Sequence, residues 1–253
     1  SRIIIGLGGS ATNDGGAGMV QALGARLLTA SGQPIAPGGA GLETLATIDI
    51  SGLDSRLSRC QIDVACDVTN PLTGEEGASA VFGPQKGATP EMVAFLDRAL
   101  AHYAACIQRD LGRDVLTLEG GGAAGGMGAA LHAFCGAALR PGIEIVTDAL
   151  HLDALVADAS LVITGEGRMD SQTIHGKVPV GVAKVAKRYR IPVIGIAGSL
   201  TPDVGVVHQH GIDAVFSVIY RICTLEEALS EAGENVRMAA RNIAAVIKLG
   251  QTL

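Results

Sequence analysis

The chain has 253 residues, 48% hydrophobic but only 3% aromatic with no Trp, 35 Gly, and a formal net charge of −6. That length suits one large or two modest domains, and a core of Ala, Val, Ile and Leu suits buried parallel strands covered by helices. Acidic and basic residues are mixed along the chain with no basic stripe, and no apolar run reaches the ~18 residues of a membrane span, so neither nucleic acid nor membrane is an expected partner.

Strand-like and helix-like segments alternate from the start. Residues 2–7 read as a strand and residues 17–28 carry apolar side chains at helical spacing. Residues 62–68, "IDVACDV", read as a short strand. The segment "PLTGEEGASAVFGPQKGATP" is rich in Gly and Pro yet keeps apolar residues, so it reads as a folded loop rather than a linker. Residues 89–111 predict a helix, with Thr89 as N-cap, Pro90 at the first helical position, and one face made by Met92, Val93, Leu96, Leu100, Tyr103 and Ile107. Residues 125–139 predict a helix entered through glycines. Residues 159–167, "ASLVITGEG", predict an apolar strand that ends in Gly and charge. A helix over 178–189, strands in 191–200 and 214–219, and a long helix from the Thr224–Glu227 capping box to residue 249 complete the pattern. This alternation is the mark of an α/β fold with parallel sheets, in which ligands gather at the C-terminal ends of strands. A composition change over residues 141–144 is the best candidate for a domain boundary. The five cysteines, Cys60, Cys66, Cys106, Cys135 and Cys223, are odd in number and form no CxxC pair. They read as reduced core residues of a cytosolic, cytoplasmic protein, not a zinc site.

Several stretches can carry chemistry. Gly6-Leu7-Gly8-Gly9-Ser10-Ala11 formally matches G-x-G-x-x-A, which would suit a dinucleotide-dependent oxidoreductase. The acidic residue expected about 20 residues later is missing, and so is a Walker pattern. What remains is Gly8 and Gly9 followed by Ser10, Thr12, Asn13 and Asp14, small polar groups on a flexible backbone that suit an anion or a polyol, or a tight turn with an N-cap. Asp67 and Asn70 follow a buried strand and could serve a ligand or close an Asx turn before Pro71. Lys86, in a glycine loop, could meet a phosphate as a point charge or stay solvated. Residues 120–131 offer only main-chain amides, for a phosphate or for close helix packing. The richest stretch is 164–179, "TGEGRMDSQTIHGKVP". It delivers Glu166, Arg168, Asp170, Ser171, Gln172, His175 and Lys177 after an apolar strand. Phosphoryl transfer needs this mixture of cations for moving charge, carboxylates for Mg²⁺ or a proton, and polar groups for the acceptor. His175 reads as structural, and His208 and His210 as a packed or solvated pair.

The stretches "GLGGSATNDGGAG", "VACDVTNPL", "FGPQKGA", "GAAGGMGAAL", "LVITGEGRMDSQTIHGKVP" and "PVIGIAGSL", in this order, resemble the bacterial glycerate kinase family, type I. The resemblance covers essentially the whole chain. It implies an ATP- and Mg²⁺-dependent kinase acting on D-glycerate, in the enteric branch at the 2-hydroxyl, to give 2-phosphoglycerate in glycerate, glucarate and glyoxylate catabolism. It implies two α/β domains, a Rossmann-like one and a second inserted in it, with the active site in the cleft between them. Residues 1–143 would be the inserted domain with the Gly-rich loops, and 144–253 the C-terminal part of the Rossmann-like domain. Members usually carry about 120 more N-terminal residues, including Asp-Ser-[Tyr/Phe]-Lys and Asp-Gly-Gly-Glu-Gly stretches that are not in this chain, which therefore reads as truncated. On this reading Glu166 and Asp170 bind Mg²⁺ or activate the hydroxyl. Arg168 and Lys177 stabilise phosphoryl charge or grip the carboxylate. Ser10, Thr12, Asn13, Asp14, Asp67, Asn70, Lys86, Ser171 and Gln172 line the substrate and nucleotide sites. A homodimer and a non-catalytic fragment that binds small acids both stay open.

Overall fold

Parallel strands must be joined by crossovers, and the computed structural model, which describes residues 1–252, supplies them with helical segments. The chain forms two compact units, Ser1–Ile145 and Val146–Leu253. The first contains β1 (Arg2–Gly6), α1 (Ala17–Ala22), β2 (Arg26–Leu28), β3 (Thr47–Asp49), β4 (Gln61–Ala65), α2 (Ala78–Phe82), α3 (Pro90–Leu111), α4 (Ala123–Cys135), β5 (Ala138–Arg140) and the start of α5 (Gly142–Ala149). Strands β1, β4 and β5 make a parallel sheet in the order β1-β4-β5, and β2 pairs antiparallel with β3.

Helix α3 forms as its sequence requires. The Thr89 side chain accepts the Met92 N–H, Pro90 opens the first turn, and Gly112 in the left-handed region ends it by donating to the Gln108 carbonyl. Leu100, Tyr103 and Ile107 are fully buried, whereas Met92 at the start of the expected face is 52% exposed. The Tyr103 ring stacks on Phe134 with centroids 6.4 Å apart. Asp63, buried in the middle of β4, is paired across the sheet with Arg2 at 2.6 Å, and the guanidinium holds its carboxyl below the usual range.

Three expected helices and strands of the first unit differ. Residues 17–28 are not one helix: Gly24 (φ +104) packs on the Gly52 carbonyl, 2.1 Å from where a Cβ would stand, and the chain turns there into β2. The strand around residue 62 stops at Ala65. The 125–139 helix is interrupted and shortened. Ala124, Gly125 and Gly126 are left-handed (φ 54, 70 and 94), Gly136 caps the helix, and Ala138–Arg140 is strand.

The left-handed segment exists because two glycine loops meet at backbone distance. The Gly15 N–H donates to the Gly125 carbonyl at 2.8 Å. A Cβ on Gly125 would lie 2.1 Å from the Thr12 carbonyl oxygen, one on Gly126 2.7 Å from the Gly15 Cα, and one on Gly16 2.6 Å from the Ala130 Cβ. No side chain fits at this junction.

The second unit continues with α6 (Leu152–Val156), β6 (Val162–Met169), α7 (Val178–Arg188), β7 (Val193–Leu200), β8 (Ala214–Ser217), α8 (Leu225–Ser230) and α9 (Ala232–Gly250). Its sheet is parallel in the order β6-β7-β8. Val180, Ala183 and Ala186 of α7 pack with Val193, Val207 and Ile212 in its core. The Thr224–Glu227 capping box is present, but the helix it starts ends at Ser230. The buried Asn235 side chain donates to the Ala228 carbonyl, the acceptor that a continuous helix would give to residue 232. All five cysteines are free; Cys106 is buried in the core, the half-buried Cys60, Cys66 and Cys135 pack against buried apolar clusters of the first unit, and Cys223 is half-buried.

Replacing Gly125 by Ala forces a Cβ into the Thr12 carbonyl and a non-glycine residue into φ +70, and should destabilise the protein by roughly 3 kcal/mol in urea unfolding. Gly205→Ala, at a site with open space and no positive φ, should change stability by less than about 0.5 kcal/mol. Equal effects at the two sites would show that the glycine junction is not tightly packed.

Candidate active site

Chemistry-bearing side chains collect at one place in each unit. In the first, they surround a cleft of about 410 Å³ at the C-terminal end of β1, lined by Leu7, Gly9, Ser10, Val68, Phe82, Gln85, Lys86, Ala123 and Ala124. Lys86 stands at the end of a 3-10 turn, Pro84–Lys86, between Gly83 and the left-handed Gly87. Its Nζ donates to the Ser10 Oγ at 3.0 Å and to the Thr12 carbonyl at 2.7 Å. Burial pushes the ammonium down from its usual pKa, and the Asp14 charge opposes that shift.

The other candidates of this unit are used by the fold. Asp14 is buried and accepts from the Gly16 and Gly18 N–H groups, capping the start of α1. The Asn13 amide donates to Ser79 Oγ at 2.9 Å, and its Oδ1 is buried with no partner. Asp67 accepts the Gly142 N–H at 2.8 Å at the start of α5, and Asn70 donates to the Glu76 carbonyl. Thr12 contributes its carbonyl. Gly8 is exposed and lies beside the cleft-lining Gly9, which is left-handed. The G-x-G-x-x-A turn is not followed by a helix: β1 ends at Gly6 and α1 begins at Ala17. The dinucleotide reading therefore lacks the helix N-terminus that its pyrophosphate needs.

In the second unit, β6 does not end at the glycines. It continues to Met169, with Glu166 opposite Ala197 and Arg168 opposite Ser199. Side chains alternate along a strand, so Thr164, Glu166 and Arg168 share one face, and the extended Asp170 follows the same parity. Asp170 Oδ1 accepts the Gln172 N–H at 2.9 Å and faces Lys177 Nζ at 3.5 Å, while Oδ2 faces Arg168 Nε at 3.4 Å. Asp170 thus caps the short turn Ser171–Ile174, and Lys177 stands at the N-cap of α7.

Two residues missed in the sequence reading complete this cluster. Thr173, fully buried, donates its hydroxyl to Glu166 Oε1 at 2.6 Å and accepts the Asp170 N–H at 3.1 Å, tying the two carboxylate residues together. Its signal was present as the Asp-x-x-Thr capping pattern of residues 170–173. Asp203 accepts the Ser171 N–H, and hydrogen bonds from Ser171 and Thr201 lower its pKa to about 2. Gln172 takes part through its main chain, with its side chain exposed. His175 is exposed, and the ring of His208 bonds the Ile212 carbonyl at 2.8 Å.

Among the described residues, no group of three or more His, Cys, Asp or Glu could hold a metal by protein ligands alone. Two-carboxylate holding stays open chemically. Among the described residues, Glu166 Oε2 carries no hydrogen bond and Asp170 Oδ2 has only the long Arg168 contact. Mg²⁺ is usually bound by one or two carboxylates together with substrate phosphates, which this pair fits. Among the described residues no helix is long and apolar enough to cross a membrane.

The model of the glycerate kinase family matches residues 1–248. The chain belongs to the glycerate kinase family. It is 65% identical over 250 residues to the glycerate 2-kinase of Escherichia coli K12, covering 99% of this chain and 66% of that protein. It is 57% identical over 252 residues to the glycerate kinase of Bacillus subtilis 168, covering 100% of this chain and 66% of that protein. A crystal structure assigned to glycerate kinase 2 from Salmonella typhimurium LT2 matches with a TM-score of 0.84 at 75% identity, covering 100% of this chain and 66% of that one. The chain thus spans just under two thirds of the length of these glycerate kinase relatives, and the match includes both polar clusters.

Thr173→Val removes the hydroxyl that joins Glu166 to the Asp170 backbone and should lower stability by about 1.5 kcal/mol in urea unfolding. Thr173→Ser should keep most of it. A valine variant as stable as the parent would show that the bridge contributes nothing.

Proposed function

We propose that the natural protein carrying this chain is a glycerate 2-kinase, transferring the γ-phosphoryl group of ATP to the 2-hydroxyl of D-glycerate. The observation that carries the reading is the Asp170 cluster, a carboxylate at the end of β6 facing Arg168 and Lys177 beside Glu166, in a chain 65% identical to a glycerate 2-kinase. Phosphoryl transfer asks a protein mainly for position and for charge complementarity.

Glu166 and Asp170 supply the carboxylate oxygens, for a magnesium ion held together with nucleotide phosphates and for the proton of the attacking hydroxyl. The metal, when bound, neutralises charge building on the phosphate oxygens. As the glycerate oxygen bonds the γ-phosphorus, its proton passes to a carboxylate and the bond to the β-phosphate oxygen breaks, leaving ADP. Arg168 and Lys177 already face Asp170 through contacts of 3.4 and 3.5 Å, so they can turn to the moving phosphoryl group or the glycerate carboxylate at small cost. Ser171 and Gln172 flank this site. Thr173 holds Glu166 in place and excludes slack between the two carboxylates. On the same reading residues 144–253 belong to a Rossmann-like domain, residues 1–143 are inserted in it, and the enzyme is cytoplasmic.

In the natural protein, Asp170→Asn should stay folded by circular dichroism and lose at least about a hundredfold in kcat for ADP release with D-glycerate and Mg·ATP. The parent's product should be 2-phosphoglycerate by ³¹P NMR. Near-normal turnover of the Asn variant would remove Asp170 from catalysis, and no glycerate-dependent ADP release would overturn the substrate.

A further inference from the structure

The first unit holds an ammonium group with no direct ion-pair partner among the described residues. Among the described residues, no carboxylate lies within ion-pair distance of Lys86 Nζ, whose partners are the neutral Ser10 hydroxyl and Thr12 carbonyl. The carboxylate whose charge acts on it, Asp14, spends both oxygens on the N–H groups of Gly16 and Gly18. Lys86 is half-buried, and desolvation disfavours its charged form. A lysine ammonium has three N–H groups, so one remains after these two bonds. The Ser10 oxygen accepts from Lys86, which leaves its hydrogen to donate elsewhere.

Both free donors belong to residues that line the cleft of about 410 Å³, a volume within the range of small-ligand sites. The Gln85 amide lines it as well, while Leu7, Val68 and Phe82 supply apolar wall. Ala124, also on the wall, is held left-handed at φ 54 although it is not glycine, a strain that the glycine junction maintains. Among the described residues, no acidic side chain lines the cleft.

We propose that this cleft is an oxyanion receptor, in which the third Lys86 N–H and the Ser10 O–H grip a carboxylate or a phosphate group. A bound oxyanion would give Lys86 the contacting counter-ion that Asp14, acting only from a distance, does not supply. The proposal does not depend on phosphoryl transfer at Asp170.

The test is calorimetric titration of the natural protein, without magnesium, using inorganic phosphate, ADP and D-glycerate separately. We expect at least one to bind with one-to-one stoichiometry. Binding of D-glycerate alone identifies a carboxylate site, and binding of phosphate or ADP identifies a phosphoryl site. Lys86→Met should weaken that binding at least tenfold, Lys86→Arg should recover part of it, and Ser10→Ala should weaken it several-fold. Binding of none of the three by the parent at about 10 mM, or equal binding by parent and a folded Lys86→Met, would overturn the proposal. Should Lys86→Met not fold, Ser10→Ala decides, and unchanged affinity there overturns it. An inactive protein that still binds through Lys86 refutes the kinase reading and leaves the receptor standing.

Discussion

The first unit depends on one contact made without side chains. The loop after β1 and the entry to α4 touch through Gly15, Gly16, Gly125 and Gly126, and the Gly15 N–H to Gly125 carbonyl bond spans them. The consequence reaches the cleft through the Thr12 carbonyl. That oxygen sits where a Cβ on Gly125 would have to be, and it also accepts the Lys86 ammonium at 2.7 Å. Packing and polar chemistry thus share one peptide group. A residue larger than glycine at position 125 would displace the acceptor that holds Lys86 in place. This accounts for part of the glycine content of the chain: those at the junction serve close approach of backbones, and Ala124, carried left-handed with its neighbours, bears the strain.

In the second unit the organising constraint is the period of a strand. Strand β6 keeps its parallel pairing with β7 past the end of its apolar run, so side chains two apart stay on one face. Glu166 and Arg168 are therefore held by sheet hydrogen bonds and not by a loose loop. Asp170 then closes the strand by capping the next turn, and Thr173 reaches back to Glu166. A strand, a capped 3-10 turn and the start of α7 follow one another here. They position two carboxylates and two cations within a dozen residues of chain.

Much of this was legible in the sequence, and the misreadings share a cause. Local signals worked where the partner is near in sequence, as with Thr89 and Met92 or Thr224 and Glu227. They failed where the deciding partner is remote or belongs to another element. Nothing near Asp67 tells that its carboxylate answers the Gly142 N–H, 75 residues away. Helical spacing through residues 17–28 was overridden at Gly24, which must lie against Gly52. The last helix reads as unbroken because the Asn235 side chain that takes the Ala228 carbonyl looks like any polar helical residue. The 164–179 stretch stands out by its density of charged residues, whereas Thr173, a hydroxyl between carboxylates, carries no charge of its own to mark it.

The two clusters differ in how they would meet an anion. At Asp170, the Arg168 and Lys177 charges are partly answered by the carboxylate between them, so an incoming anion must share those cations. The contacts are long, Arg168 is exposed and Lys177 half-exposed, so loosening them costs little. Such a set suits charge that appears only during a reaction, because each cation keeps a resting partner and can leave it. Among the described residues Lys86 has no contacting counter-ion, the Asp14 charge acts on it only from a distance, and it is partly withdrawn from water. A charge so placed gains most from an anion that stays, since the gain includes relief of the desolvation cost that burial imposes on it. On the two proposals, persistent binding is therefore the chemistry that suits Lys86, and transient charge stabilisation the chemistry that suits Asp170.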